Sequence, residues 1–282
     1  MSKLALVTGA NTGIGKEITR GLAKRGMRVV LACRDRARGE AAREEIANET
    51  GNSELTLMLL DLADLASIRH FADEFREGFD RLDILVNNAG VSAQEHATTR
   101  DGFELVFGVN FIAPFLLTNL LLHHLKAAAP SRIVNLASSV HTTGHIDKSD
   151  PQMDKNWKNR QAYSNSKLAD VLFTRELARR IEGSGVTANC YNPGLVRSEF
   201  FRNYHPMPFM LKVVLWLLGK SPEEGADTGL YLCASEEVEG KSGGYYEKRT
   251  LKEPSEEARD VELSRWLWNY AESAVIGGAE TT

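Results

Sequence analysis

Tyr163 and Lys167 lie four positions apart in a stretch, Ala162 to Ile181, whose residues read as a long helix, so both side chains project from one face. A phenol with an ordinary pKa of about 10 is a poor acid or base at neutral pH, and a neighbouring ammonium favours its phenolate. Such a pair can exchange a proton with an alcohol or carbonyl oxygen. Alone, Tyr-x-x-x-Lys also describes any exposed helix pair, so the reading needs a third group. Ser138 supplies it: it closes the apolar run Arg132-Ile133-Val134-Asn135-Leu136-Ala137, where a strand-end hydroxyl could hold a substrate oxygen beside the tyrosine.

A second chemistry-bearing stretch stands near the start of the chain. Leu4-Ala5-Leu6-Val7 is a short apolar run, Lys16 to Lys24 has helical spacing, and Thr8-Gly9-Ala10-Asn11-Thr12-Gly13-Ile14-Gly15 joins them. Its glycines let the backbone turn tightly and leave amide hydrogens uncovered at a helix N-terminus, which is an anion site suited to a dinucleotide pyrophosphate. The spacing is G-x-x-x-G-x-G rather than G-x-G-x-x-G, and a lone Gly-rich turn is often only structural. The next strand, Arg28-Val29-Val30-Leu31-Ala32-Cys33, ends at Arg34, the place that meets the adenosine ribose. A carboxylate there would repel a 2′-phosphate, whereas a forked guanidinium suits one. NADP(H) is therefore expected over NAD(H). Against this, Asp35 follows directly, and Arg34 also reads as one of the solvated charges in Arg34-Asp35-Arg36-Ala37-Arg38.

Strand and helix patterns alternate along the chain with short connections, the pattern of a parallel sheet covered on both faces. Gly39 to Glu49 reads as a helix and Leu55 to Leu60 as the third strand, closed by Asp61-Leu62. A carboxylate at that strand end can accept from an adenine amino group, while Asp61 or Asp64 can equally cap the helix Leu65 to Phe75. Asp83-Ile84-Leu85-Val86 runs into Asn87-Asn88-Ala89-Gly90, again a strand ending in small polar residues. Phe103 to Leu125 reads as a long apolar helix interrupted by Asn110 and Pro114; the proline removes the bond to the Asn110 carbonyl, which a kink would free for water. Val186 to Tyr191 is the sixth strand, ending at Asn192-Pro193-Gly194, and Ser221-Pro222-Glu223-Glu224 starts a helix that runs through Gly225 to Cys233. Gly244-Tyr245-Tyr246 finishes the sheet, Trp266 and Trp268 lie in a last helix, and Ala274 to Thr282 reads as a loose tail. No repeat or linker divides the chain. The expected fold is α/β, a single-domain Rossmann-type doubly wound parallel sheet flanked by helices over residues 1–282, with a cofactor half to about 135 and a catalytic half over about 136–270.

Composition narrows the classes of function. A net charge of -4 argues against electrostatic attraction to nucleic acid. The three cysteines, Cys33, Cys190 and Cys233, are odd in number and widely spaced, so neither a disulfide framework nor a zinc site is implied. Between Val140 and Arg160, His141 and His145 are separated by Gly144 and threonines, which argues against a rigid ligand pair, and no metal site is expected. A strand begins at Lys3 where a signal peptide would place its apolar region, and no stretch reads as a bilayer span, so the expected location is cytoplasmic.

Taken together these motifs resemble the short-chain dehydrogenase/reductase family over Lys3 to about Tyr270. The resemblance implies a cofactor loop with contacts from Gly9, Asn11, Thr12, Gly13, Ile14 and Gly15, an adenine contact at Asp61 and Leu62, an N-N-A-G element contributing Asn88, Ala89 and Gly90, and a relay asparagine at Asn110. It implies a nicotinamide-contacting turn at Pro193 and Gly194 continuing through Val196 to Ser198, where many members carry threonine. Ser138, Tyr163 and Lys167 match the catalytic residues: the serine holds the substrate oxygen, the tyrosine exchanges its proton, and the lysine binds the nicotinamide ribose. Leu31-Ala32-Cys33-Arg34-Asp35, Tyr163-Ser164-Asn165-Ser166-Lys167-Leu168-Ala169, Phe173-Thr174-Arg175-Glu176-Leu177-Ala178 and Pro193-Gly194-Leu195-Val196-Arg197-Ser198-Glu199 look like the retinol dehydrogenase/retinal reductase branch. The implied substrate is a small lipophilic carbonyl or alcohol, retinal or retinol first, with steroids, quinones and lipid aldehydes as alternatives and a non-catalytic NADP-sensing scaffold as the alternative of another class.

One apolar segment remains. Pro206 to Gly219 carries a single charge, Lys212, and is too short to span a membrane. Three readings stay open for it: a lid buried on its own domain, a face buried in a homo-oligomer, or a lid dipping into a membrane surface with Trp216 at the boundary.

Overall fold

Buried β-branched and leucine-rich runs become the strands of one sheet, and the computed structural model describes them within residues 2–197 and 219–277. The strands are β1 (Leu4–Thr8), β2 (Arg28–Cys33), β3 (Leu55–Leu59), β4 (Ile84–Asn87), β5 (Ser131–Leu136), β6 (Val186–Asn192), β7 (Tyr245–Glu247) and β8 (Thr250–Lys252). Their order across the sheet is β3-β2-β1-β4-β5-β6-β7-β8. Pairing is parallel from β3 through β7, and the strand order reverses at β1 and β4, the switch point of a doubly wound fold.

Successive residues of β1 serve opposite faces: Leu4 and Leu6 join one core, Ala5 and Val7 the other. Helices α1 (Gly13–Ala23), α2 (Arg36–Thr50) and α7 (Pro222–Ala234) cover one face. On the other lie α3 (Leu65–Gly78), the run α4 (Leu105–Phe107) to α5 (Ala113–Ala127), α6 (Asn159–Arg180) and α8 (Val261–Gly277). Aromatic side chains lock this second layer. Phe115 meets Trp268 edge-on at 4.8 Å between ring centroids, and Phe173 stacks on the same indole at 5.9 Å.

The helix ends follow local chemistry. Asp35 accepts from the Arg38 amide at 3.0 Å to cap α2, and Asp64 accepts from Ala66 and Ser67 to cap α3. Ser221 and Glu224 form a reciprocal capping box on α7, with Pro222 in its first turn. Between α4 and α5 the chain makes a π turn over Gly108–Ile112, in which the Ala113 amide reaches back to the Gly108 carbonyl. Pro114 has no amide to give the Asn110 carbonyl, so the widened turn falls where the proline leaves a carbonyl to be accommodated.

Three expectations change. The 23-residue run Leu105–Ala127, whose most apolar 18-residue window has mean hydropathy 2.0, is long and apolar enough to cross a bilayer by length and composition, contrary to the reading that no such stretch exists; 78% of that window is buried inside the fold, where the core uses that apolarity. The tail does not begin at Ala274: α8 continues to Gly277, Val275 is buried, and its carbonyl accepts from Arg69 Nη2 at 2.6 Å. The sheet also has a last strand not foreseen. β8 turns back antiparallel on β7 through Lys248 and Arg249, both in the left-handed region, and Arg249 is tied down by Asp227 and by the Thr228 hydroxyl. Ser198 and residues 206–218 lie outside the described residues, so the readings of that apolar segment are not addressed by the fold.

The three cysteines are buried free thiols; burial pushes Cys33 up to about 11 and Cys190 and Cys233 up to about 12, so none is a thiolate at neutral pH.

At the switch point, buried Asp83 accepts the Leu4 amide at 2.9 Å and binds Arg81 at 2.6 Å, fastening β1 to the strand that follows it in the sheet. Asp83→Ala leaves that buried amide unpaired and is expected to lower stability by about 1–3 kcal/mol in urea denaturation. A midpoint unchanged from the parent would show that the two strands need no such fastening.

Candidate functional site

Because the strands from β1 to β6 are parallel, their C-terminal ends deliver Gly9, Arg34, Asp61, Asn88, Ser138 and Pro193 to a single edge. There β1 passes into α1 through a turn that only glycine fits. Gly9 and Gly13 have φ of +65° and +54°. A Cβ on Gly15 would stand 2.4 Å from both the Gly9 carbonyl and Asn88 Nδ2. Thr12, at the N-cap of α1, makes no side-chain cap, and the first turn holds no acid. The amides of Gly13, Ile14 and Gly15 thus open the helix without a carboxylate in its own first turn to answer them, as an anion-binding N-terminus requires.

Thr8 and Asn88 brace this turn. The Thr8 hydroxyl accepts the amides of Asn88 and Ala89, both at 3.0 Å, and Asn88 Nδ2 donates to the Thr8 carbonyl at 2.9 Å. Asn88 Oδ1 is buried and has no hydrogen-bond partner among the described residues. One strand over, Arg34 is exposed at the end of β2, while Asp35 beside it is spent on the α2 cap. Asp61 follows β3, half-buried, with Oδ1 accepting from the Ala63 amide at 3.0 Å; Leu62 beside it is buried. Asp64, not Asp61, caps α3.

Asn110 sits in the π turn with its side chain fully engaged. Its Oδ1 accepts the Val91 amide at 2.8 Å, and Nδ2 donates to the Val91 carbonyl and to Ser166 Oγ, each at 3.0 Å. Ser166 in turn donates to the Tyr163 carbonyl at 2.8 Å. Asn110 therefore joins the loop after Gly90 to the helix that carries Tyr163.

Ser138 follows the end of β5 and caps a helical turn over Ser139–Thr143. That turn is pressed onto α6: Thr143 Oγ1 lies 3.1 Å from Ser164 Oγ, and a Cβ on Gly144 would stand 2.6 Å from the Ser164 carbonyl. His141 fixes the turn from below, with Nδ1 2.7 Å from the Ser138 carbonyl and Nε2 accepting the Ser255 amide at 3.2 Å. These partners select the Nδ1–H tautomer, and burial lowers the imidazole's pKa, keeping it neutral. His145 is instead exposed against Glu257.

Lys167 is buried, with Nζ 5.8 Å from the centre of the Tyr163 ring. The ammonium donates to the Leu136 carbonyl and to Asp170 Oδ2, both at 2.8 Å. Burial alone would lower its pKa; Asp170 and Tyr163 outweigh this, and the net shift is upward. At the next strand, Gly194 turns with φ of +83°, its amide bonded to Asn192 Oδ1 at 3.1 Å. Lys220 holds the far side, pairing through its backbone with Leu195 and Arg197 while Nζ reaches the Pro193 carbonyl at 3.4 Å. Val196 is buried against Gly225 at the start of α7, and Gly225 also abuts Ile14 of the cofactor loop. A cleft of about 760 Å³ lined by Arg132, Arg175, Arg179 and Glu239 opens at the opposite end of β5 and β6, away from all of these groups.

The family model for short chain dehydrogenases matches residues 3–208. The chain belongs to this family. It is 50% identical over 288 residues to retinol dehydrogenase 13 of Homo sapiens, covering 99% of this chain and 85% of that protein. It is 43% identical over 290 residues to retinol dehydrogenase 14 of Homo sapiens, covering 97% and 86%. Among solved structures, an uncharacterised protein from Mycobacterium Paratuberculosis matches with a TM-score of 0.79 at 32% identity over 97% of this chain and 93% of that one. The NADP active-site complex of Pseudomonas aeruginosa RhlG matches with a TM-score of 0.71 at 26% identity, over 93% and 96%. The protein is thus a short-chain dehydrogenase-type oxidoreductase with retinol dehydrogenases among its relatives.

For a short-chain dehydrogenase the fit of the edge to a dinucleotide can be judged on the residues themselves. Gly9, Gly13 and Gly15 make a cradle that a methyl group would fill, α1 offers amides without a capping side chain, and Asn88 Oδ1 is an unused acceptor beside them. Residue type and spacing do not mark His141 as a brace, Lys220 as a clamp, or Asp170 as the partner of Lys167. Asp170 leaves a trace in the sequence as an acid three residues beyond Lys167, on the same helix face.

Gly15→Ala drives a methyl into Asn88 and the Gly9 backbone, and should weaken NADPH by roughly tenfold, an overpacking cost of about 1–3 kcal/mol, in a fluorescence titration. Parent-like affinity would mean that the turn yields to the methyl and is not the ligand's cradle.

Proposed function

We propose that this chain transfers hydride between NADP(H) and the carbonyl or carbinol carbon of a small lipophilic substrate, with retinal and retinol the leading pair. The observation that carries the reading is the buried, charge-retaining ammonium of Lys167 beside the Tyr163 ring, on the helix to which the Ser138 turn is pressed. When bound, the nicotinamide supplies or accepts the hydride. Gly9, Asn11, Thr12, Gly13, Ile14 and Gly15 would hold the pyrophosphate through backbone amides and the helix dipole. Asp61 and Leu62 would meet the adenine and Pro193, Gly194 and Val196 the nicotinamide, while Asn88, Ala89 and Gly90 would also contact the cofactor; Ser198 belongs to the same proposal.

In the reduction direction Tyr163 gives its phenolic proton to the substrate oxygen as the carbon gains hydride; in oxidation the phenolate takes that proton back. Ser138 donates a hydrogen bond to the same oxygen. Lys167 favours the phenolate by charge and holds the nicotinamide ribose. Asn110 acts through position, because its side chain is committed to Val91 and Ser166, and its main-chain carbonyl, denied an amide by Pro114, is the atom left to hold a water that returns the proton.

The NADP preference is supported by Arg34 standing exposed at the end of β2 while Asp35 is occupied in the α2 cap. The NADP complex of a relative at 26% identity points the same way. The substrate class is supported by the names of the relatives. Steroid, quinone or lipid-aldehyde carbonyls need the same groups, so NADPH consumption over a carbonyl panel that includes retinal separates the substrates.

Tyr163→Phe should bind NADPH as the parent does and lose turnover by at least about a hundredfold, the scale of general acid catalysis. Turnover near the parental rate would remove Tyr163 from the chemistry. Arg34→Leu should weaken NADPH by roughly 1.5–3 kcal/mol and leave NADH almost unchanged. Equal weakening of both cofactors, measured by the same titration, would make Arg34 a structural residue.

A further inference from the structure

We infer that Asp170 is a positioning residue: its carboxylate, with the Leu136 carbonyl, holds the Lys167 side chain in place and keeps it charged inside the fold, ready for the cofactor ribose. The inference rests on the reading of Lys167 as the cofactor-facing ammonium. The carboxylate and the ammonium are among the least accessible charged groups in the chain, with side chains 6% and 4% exposed. Their 2.8 Å contact bridges one turn of α6, and the second 2.8 Å contact, to Leu136, comes from the end of β5. Two of the three ammonium hydrogens are thereby spent on fixing its position, and among the described residues the third has no acceptor, which leaves it for a ligand. Gly90, on the neighbouring strand end, lies against the same group: a Cβ there would stand 3.9 Å from Lys167 Nζ.

A buried ammonium deprived of its counter-ion gives up its proton more readily. The charged and titratable groups that bear on the pair are few. Tyr163 comes from α6 itself and Cys190 from β6, with Arg175 acting on the same cysteine and Tyr245 of β7 beyond it. Cys190 is a neutral thiol, pushed up to about 12. β5 and the π turn contribute the Leu136 carbonyl and Asn110, which do not titrate. Among the described residues Asp170 is thus the anion available to Lys167 at neutral pH. Burial lifts its own carboxyl to about 6 against the pull of Lys167, so the pair is ionic at pH 7.

The test reads cofactor affinity rather than turnover. In Asp170→Asn, which keeps the shape of the side chain, NADPH affinity should fall about tenfold or more as pH rises from about 7 to about 9.5, the range in which Lys167 now loses its proton. The parent and Asp170→Glu, which restores the charge, should stay within about twofold over the same range. Adding Lys167→Met to Asp170→Asn should abolish the pH dependence, which a merely structural defect would not do. A flat profile in Asp170→Asn, or one that persists without Lys167, overturns the inference. If Asp170→Asn does not fold, a pH-dependent loss of affinity in Asp170→Glu exceeding that of the parent overturns it as well. Lys167→Met alone keeps the two readings apart: unchanged NADPH affinity removes the cofactor role of Lys167, whereas weakened affinity with a flat Asp170→Asn profile removes only the role of Asp170.

Discussion

A fully buried ammonium must be solvated by the protein or give up its proton, and in this chain that constraint falls on Lys167. The carbonyl that receives it belongs to Leu136 at the end of β5, and the carboxylate belongs to Asp170 on α6. The ammonium is therefore correctly placed only when strand and helix are packed in one register. The surrounding polar contacts serve the same end. Asn87 donates to Asn135 at 2.8 Å and Asn135 to Thr174 at 2.9 Å, carrying the alignment from β4 through β5 into α6. Thr174 then donates to the Asp170 carbonyl at 2.7 Å. Side chains that look like isolated polar residues in the core are links between the elements that must agree.

The second constraint is directional. Parallel strands put all their C-terminal ends on one edge, so residues as far apart in sequence as Gly9 and Gly194 lie on that same edge. What fixes the loops at that edge is mostly hydrogen bonding to backbone. Thr8 holds the Asn88 and Ala89 amides, Asn110 holds both polar atoms of Val91, His141 holds the Ser138 carbonyl, and Lys220 holds the Pro193 turn. These side chains fix where the reacting groups stand, and the reacting groups themselves need little conformational freedom.

Much of this could be read from residue types. Strands of four to seven apolar residues, the Ser221-Pro222 helix start and the glycine turn announce themselves because their causes are local. Other features have distant causes. The Lys248-Arg249 turn has no Asn-Gly or Gly-Gly signature; it is held by Asp227 and Thr228 on α7, so its stability is tertiary. The end of α8 depends on Arg69 from α3, which the composition of Ala274 to Gly277 cannot disclose. Pro114 signalled a disturbance in the long apolar helix, but not that it would be a π turn. His141 and Asp170 were visible only as a histidine in a polar loop and an acid one turn beyond Lys167, and the Ser255 amide and Leu136 carbonyl that complete their contacts come from other parts of the fold.

The ion pair is an expensive way to hold a lysine. The folded-state pKa of Asp170, about 6, lies above its unfolded value near 3.8. A group raised in this way favours the folded state at low pH, and that contribution is lost as pH rises through about 6. At neutral pH the carboxylate, taken alone, therefore costs stability, and its attraction to Lys167 offsets the cost without turning a buried pair into a net stabiliser by default. Well-packed apolar residues would fill α6 at least as stably. That the helix carries the pair at the one turn facing the cofactor edge is explained if position and charge at Lys167, not stability, are what the site requires.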